Sequence, residues 1–475
     1  MSNDKNNNSG HHREVNGSTA LVTWATLLLS CGATADTLDD YYQAIEAHEA
    51  YNAFITVARD LQATAVDKQR PLSGMYICVK DNVHVAGLPN TAGTPALRNF
   101  VPGEDAEIIS RLKAAGATII GKNNMHELAY GITSNNAAFG AVHNGVKPAY
   151  MAGGSSGGTA TAVALNMASA GIGTDTGGSV RLPAALNGLV GFRPSTGRYP
   201  TSGMTMISNT RDTAGPITRT VAEAALLDAI LSGEDAPLAS IDLNGLRLGV
   251  PRAYFYDALD ADVAARVESV LATLSAHGVE LIEADLKDIG ELNEKVGFPI
   301  VLFETSQLLP AYLAKYQPEI SADQLLAQIA SPDVKGIVGD ALGGAIPEEV
   351  YLEARDVQRP LMQAVYADYF RNHRVEAVIF PTTAMTARPR KEDMSTVEFA
   401  GEQVPTFPSY IRNTDPASNV GIPGISIPAG ISSEGLPIGV ELDGPAGSDR
   451  RLLAIAAAIE SALATTDQRG SRRQL

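Results

Sequence analysis

Between residues 153 and 181 the chain reads Gly-Gly-Ser-Ser-Gly-Gly-Thr, then a run of small residues, then Gly-Thr-Asp-Thr-Gly-Gly-Ser-Val-Arg. No other stretch limits the fold as much. Glycine lets the main chain take angles closed to other residues and approach a ligand or a second backbone closely. A serine held in such a loop presents its hydroxyl beside backbone N–H donors. That arrangement suits acyl transfer, where a nucleophile needs an oxyanion site next to it. The segment 158–166 between the two clusters is almost all Ala, Thr and Val, so it should form a helix buried on every side.

Around this stretch, short apolar runs at 75–79, 118–121 and 169–173 predict buried strands, with helices at 107–115 and 158–166 between them. Such alternation implies an α/β fold with a largely parallel or mixed sheet. A strand restarts within 244–251, and 260–375 is mostly helical, broken by a glycine-rich segment at 336–344 that reads as a loop. Strands follow at 377–381, 424–428 and 436–442, and a helix closes the pattern at 450–464. With 475 residues, 45% of them hydrophobic, the chain can bury one large core. The expected organisation is a domain over 71–465 with a helical insertion at about 260–375.

The ends are expected to differ. Residues 1–17 read as a disordered leader that includes His11 and His12, and 466–475 as a flexible tail. Residues 18–70 read as N-terminal helices packed on the core, one at 21–35 and two helical pieces over 36–70. The apolar 21–35 run ends in a lipobox-like Leu-Leu-Ser-Cys, but Glu14 and an Asn-rich stretch precede it where a secretory signal needs a positive region. It is also too short to span a bilayer. Two cysteines, Cys31 and Cys78, provide no disulfide framework and suit a reducing, cytoplasmic setting. A net charge of −17 argues against nucleic acid as a partner.

Several catalytic patterns fail on context. Gly154-Ser155-Ser156-Gly157-Gly158 satisfies the nucleophile elbow of α/β-hydrolases. That elbow needs a later acid and histidine, and the later histidines, His277 and His373, read as solvated helix ends. Ser110-Arg111-Leu112-Lys113 lies on an amphipathic helix, Gly171–Gly177 misplaces the third glycine of a dinucleotide loop, and His126-Glu127 is too sparse for a metal. What remains is a serine nucleophile without histidine. A lysine can then be the base if burial keeps it neutral, and Lys80 ends the apolar run Ile77-Cys78-Val79. Cys78 should share its face of the strand and be a buried structural thiol.

These residues resemble the amidase signature family. GGSSGGTATAVA followed by GIGTDTGGSVRLPAALNGLVGFRP carries the resemblance, which extends to VKDNVHVAGLPNTAGT, GATIIGKNNMHEL, DTAGPITRTVAEA, IFPTTA, GIPGISIPAG and GLPIGVEL. It covers roughly residues 20–465 in unbroken order. It implies a large mixed, mostly parallel central sheet flanked by helices on both faces, and a serine–cis-serine–lysine triad. In this sequence Ser179 would be the nucleophile, Ser155 the bridging serine on the cis peptide, and Lys80 the base. Backbone N–H groups of Thr176, Gly177, Gly178 and Ser179 would hold the oxyanion, about 3–4 kcal/mol per donor. Ser156, Thr174, Asp175 and Arg181 would support the triad, with Asp175 and Arg181 paired, and Met125 would sit near the acyl site.

No cofactor or metal is expected. KNNMHELAYGITS, DVKGIV and IRNTDPASN look most like indoleacetamide and mandelamide hydrolases, which implies a primary arylacetamide substrate. Anilides, esters and aryl carbamates, including urethanes, suit the same triad. A tRNA-dependent amidotransferase subunit and a non-catalytic binding relative are the other readings. The expected partner is a small amide or carbamate, with a homodimer allowed and with neither nucleic acid nor membrane.

Overall fold

The computed structural model describes residues 37–59, 69–234 and 236–472, with side chains to residue 464. The expected leader, the 21–35 helix and Cys31 lie outside the described residues. Among the described residues thirteen strands occur in chain order: β1 Phe54–Val57, β2 Tyr76–Lys80, β3 Thr118–Asn123, β4 Ala170–Asp175, β5 Val190–Arg193, β6 Thr213–Thr218 and β7 Arg247–Val250. Then come β8 Glu280–Glu283, β9 Ala377–Pro381, β10 Thr396–Phe399, β11 Glu402–Pro405, β12 Gly424–Ile431 and β13 Pro437–Asp443. Eleven form one sheet in the order β1-β3-β2-β4-β6-β5-β12-β13-β9-β7-β8, and β10 and β11 form a separate hairpin. The sheet is mixed: β3-β2-β4 and β9-β7-β8 are parallel ladders, and antiparallel pairings join them through β6, β5, β12 and β13.

Strand alternation divides the core. Ile77 and Val79 of β2 enter the larger apolar cluster with Ile119, Ile172 and Phe192. Cys78 points to the opposite face, into the cluster around the Gly157–Ala164 helix with Ala160, Val163 and Ile217. Its thiol is fully buried, and burial pushes its pKa up to about 12. Gly157 through Val163 are all buried, as their small side chains require. Two glycines set the closeness of this packing. A Cβ on Gly171 would lie 2.3 Å from the Thr159 methyl, and one on Gly158 would lie 2.2 Å from the Asn124 carbonyl. Gly171 therefore brings β4 close to this helix, and Gly158 brings the helix close to the chain leaving β3.

Three expectations are corrected. Of the helical pieces expected over 36–70, the Leu38–Ala47 helix is present, but Phe54–Val57 is a strand. Its Phe-Ile-Thr-Val is β-branched and aromatic, and it pairs antiparallel with β3. The glycine-rich 336–344 segment is not a loop, because the Pro332–Leu342 helix runs through Gly336 and Gly339. Val334, Val338 and Ala341 are buried there, and that burial outweighs the cost of helical glycine, about 1 kcal/mol each. The closing helix spans Asp449–Arg472, past the expected end at 464.

The region 260–375 is mostly helical, as expected, with β8 added at the sheet edge. Its Ile289–Tyr316 helix is long and apolar enough, by length and composition, to cross a membrane. Here Val296, Ile300, Leu309 and Leu313 are buried within the protein, so one face of this helix packs against the core.

Candidate active site

Parallel strands β2 and β4 end side by side, which brings Lys80 next to Thr174 and Asp175. Lys80 is fully buried. Its Nζ lies 2.7 Å from Ser155 Oγ, 2.8 Å from Thr174 Oγ1 and 3.3 Å from the Thr174 carbonyl. Burial pushes its pKa down to about 7, against the opposing pull of Asp175 and Asp212. Asp81, the neighbour that could have paired with Lys80, is held by Lys122 at 3.1 Å. The Gly154–Ser155 peptide is cis. The Ser155 carbonyl accepts the His126 N–H at 3.1 Å, and the His126 ring is buried against Asp333, 3.0 Å away.

Ser156 is fully buried, and its hydroxyl donates to the Thr174 carbonyl at 3.3 Å. His277 and His373 end their helices, His277 bonded to the Thr273 carbonyl at 2.9 Å and His373 set against the Tyr369 ring, so neither is bonded to these serines as the elbow requires.

The loop after β4 is shaped by Asp175. Its carboxylate accepts the backbone N–H groups of Gly178 at 2.9 Å and Val180 at 3.1 Å. Arg181 and Arg193 reach it at 3.0 Å and 2.9 Å. Burial works to raise its pKa, but the two guanidiniums outweigh that and hold it well below the usual carboxylate range. The expected Asp175–Arg181 pair is therefore present. Arg181 also donates to Glu441 and Ser418. Beside it, burial raises the pKa values of Glu441 and Asp443, and the charge of Glu441 adds to the rise at Asp443. Of the expected oxyanion set, the Gly178 N–H is bonded to the Asp175 carboxylate, while Thr176, Gly177 and Ser179 line a cavity.

That cavity encloses about 330 Å³. Ser179 lies in its wall, and Tyr130, Ile207, Val301, Ile337 and Phe407 make it largely apolar. Phe298, about half exposed, meets Phe407 with ring centroids 6.1 Å apart. Met125 does not itself line the cavity; it is fully buried in an apolar cluster with Leu97 and Leu128 that also holds the cavity-lining Ala129, Tyr130 and Ile207. Among the described residues no hydrogen bond joins the Ser155 and Ser179 hydroxyls; the bonds of Lys80 end at Ser155 and Thr174.

Residue-level reading of the sequence missed several participants. Asn82 donates to Thr174 Oγ1 at 3.1 Å, and Arg193 and Glu441 complete the bracing of the loop. The available signal was a charge inside an apolar strand, as in Val190-Gly-Phe-Arg193 and Ile438-Gly-Val-Glu441, because a buried charge requires a partner.

Comparison with known proteins gives the family. The family profile described as Amidase matches residues 36–453. An indoleacetamide hydrolase of Agrobacterium vitis is 47% identical over 393 residues, 82% of this chain and 84% of that protein. A mandelamide hydrolase of Pseudomonas putida is 42% identical over 409 residues, covering 83% and 79%. A solved amidase structure superposes with a TM-score of 0.80 at 32% identity, covering 92% of this chain and 98% of that one. The chain belongs to the amidase family and is an amide-hydrolysing enzyme.

Proposed function

We propose that the enzyme cleaves a small aryl or arylacetamide-type primary amide to a carboxylic acid and ammonia, using Ser179, Ser155 and Lys80 through an acyl-enzyme. The observation that carries this reading is the buried lysine with three oxygen contacts. A neutral amine has two N–H donors and one lone pair. With both donors spent on Thr174 Oγ1 and the Thr174 carbonyl, the lone pair is left to accept the Ser155 hydroxyl proton. Near pH 8 most of the lysine is neutral.

Substrate binding closes the gap between Ser155 and Ser179, since catalytic hydrogen bonds often tighten only in the complex. Ser179 then attacks the carbonyl carbon while its proton passes through Ser155 to Lys80. The N–H groups of Thr176, Gly177 and Ser179 stabilise the oxyanion. The relay runs backward to protonate the departing nitrogen, and water hydrolyses the ester. The apolar cavity would receive the aryl group, which agrees with the named activities of the relatives. Turnover of indoleacetamide, mandelamide, an anilide and an aryl carbamate by the purified enzyme tests the reading. The two primary amides should have the highest kcat/KM; faster cleavage of the carbamate or anilide would assign the site to those substrates instead.

A further inference from the structure

Arg211 ties three parts of the molecule together. Its Nε donates to the Thr176 carbonyl at 3.1 Å and its Nη1 to the Gly297 carbonyl at 3.1 Å, within the Ile289–Tyr316 helix. Its Nη2 donates to Asp415. The second oxygen of Asp415 accepts Asn293 and Asn419, each at 3.0 Å, so the carboxylate is also bound to that helix. Both members of the pair are largely buried, and both reach the cavity wall. Glycine permits the approach on each side. A Cβ on Gly177 would lie 2.7 Å from Asp415 Oδ1, and one on Gly297 would lie 3.2 Å from Asp415 Oδ2.

The two ends of this clamp have different jobs. The helix end supplies Gly297, Phe298, Val301 and Leu302 to the cavity wall. The loop end is the Thr176–Gly177 peptide. Because a peptide unit is planar, fixing the Thr176 carbonyl on Arg211 also fixes where the Gly177 N–H points. The next peptide is pinned likewise, since Thr414 Oγ1 donates to the Gly177 carbonyl at 2.7 Å.

We propose that Arg211 is a positioning residue that couples filling of the apolar cavity to the aim of the Gly177 N–H at the reacting carbonyl. The inference rests on the amide-hydrolase reading above. An acyl group packed on Phe298 and Val301 holds the helix, the helix holds the guanidinium through the Gly297 carbonyl and Asp415, and the guanidinium holds the loop. Binding energy from the aryl group then appears in kcat rather than in KM. A lysine cannot replace the fork, since one ammonium lacks the planar set of donors that reaches all three acceptors.

The test compares propionamide with phenylacetamide on the wild type, Arg211→Lys and Gly297→Ala. The wild type should turn over phenylacetamide with a kcat at least about tenfold above that for propionamide. In Arg211→Lys that kcat ratio should fall towards one, with the KM for phenylacetamide changed by less than about threefold. Gly297→Ala keeps every polar group, favours the helix and presses on the clamp, so it should lower the ratio in the same direction even if Arg211→Lys fails to fold. An equal loss of kcat on both substrates, or a change confined to KM, overturns the coupling and leaves the hydrolase reading intact. Hydrolysis of neither amide by the wild type overturns both.

Discussion

Lys80 Nζ and Ser155 Oγ are 2.7 Å apart at a fully buried site, and the lysine's remaining contacts both go to Thr174. Among the described residues no carboxylate bonds to the Lys80 amine. Asp175, the nearest strand-end acid, is saturated by Arg181, Arg193 and two backbone N–H groups. The local charge network thus leaves the lysine to be governed by burial, which favours its neutral form.

Removing either end of the relay should stop the chemistry without unfolding the chain. Lys80→Ala and Ser179→Ala should each lower kcat for phenylacetamide by at least about 10³-fold. Circular dichroism should show unchanged secondary structure. Near-normal turnover in either variant would remove that residue from the mechanism.

The pH profile should follow Lys80. Below a pH of about 7 the amine is protonated and cannot accept the Ser155 proton, so kcat/KM should fall about tenfold per unit on the acid side. A flat profile between pH 5 and 8 would exclude a lysine base with this pKa.

Stability should depend on pH in a matching way. The unfolded chain holds the Lys80 proton up to its ordinary value of 10.5, whereas the folded chain releases it near about 7. Between these limits the unfolded state binds more protons, so this lysine becomes less unfavourable to folding as the pH rises. The wild type should therefore gain on Lys80→Met from pH 7 to 10, by on the order of a few kcal/mol in urea unfolding. A gap independent of pH would contradict the burial of a neutral amine.

Asp175→Asn should damage the fold as well as the activity. It leaves Arg181 and Arg193, both fully buried, short of their shared carboxylate, a change that costs about 3–5 kcal/mol in comparable buried pairs. Differential scanning calorimetry should show a clearly lowered Tm; an unchanged Tm would mean the loop is braced by other contacts.

Much of this was legible in local patterns. The run Ile77-Cys78-Val79-Lys80 forms β2 and places its lysine on the face of Cys78, and the small-residue segment is a buried helix. Harder to read were features set by distant partners. Phe54–Val57 is a strand because β3 offers an edge, and Gly336 and Gly339 stay helical because Val334 and Val338 find a core. The Gly178 N–H turns to Asp175 through loop geometry that residue types do not encode. The Arg211–Asp415 clamp joins residues more than two hundred positions apart, which no spacing rule reaches.

The central claim is that Ser179, and neither Ser155 nor Ser156, is the attacking group. Labelling with a fluorophosphonate followed by peptide mass spectrometry tests it directly. The adduct should lie on Ser179, and Lys80→Ala should slow its formation. An adduct on Ser155 or Ser156 would contradict the account.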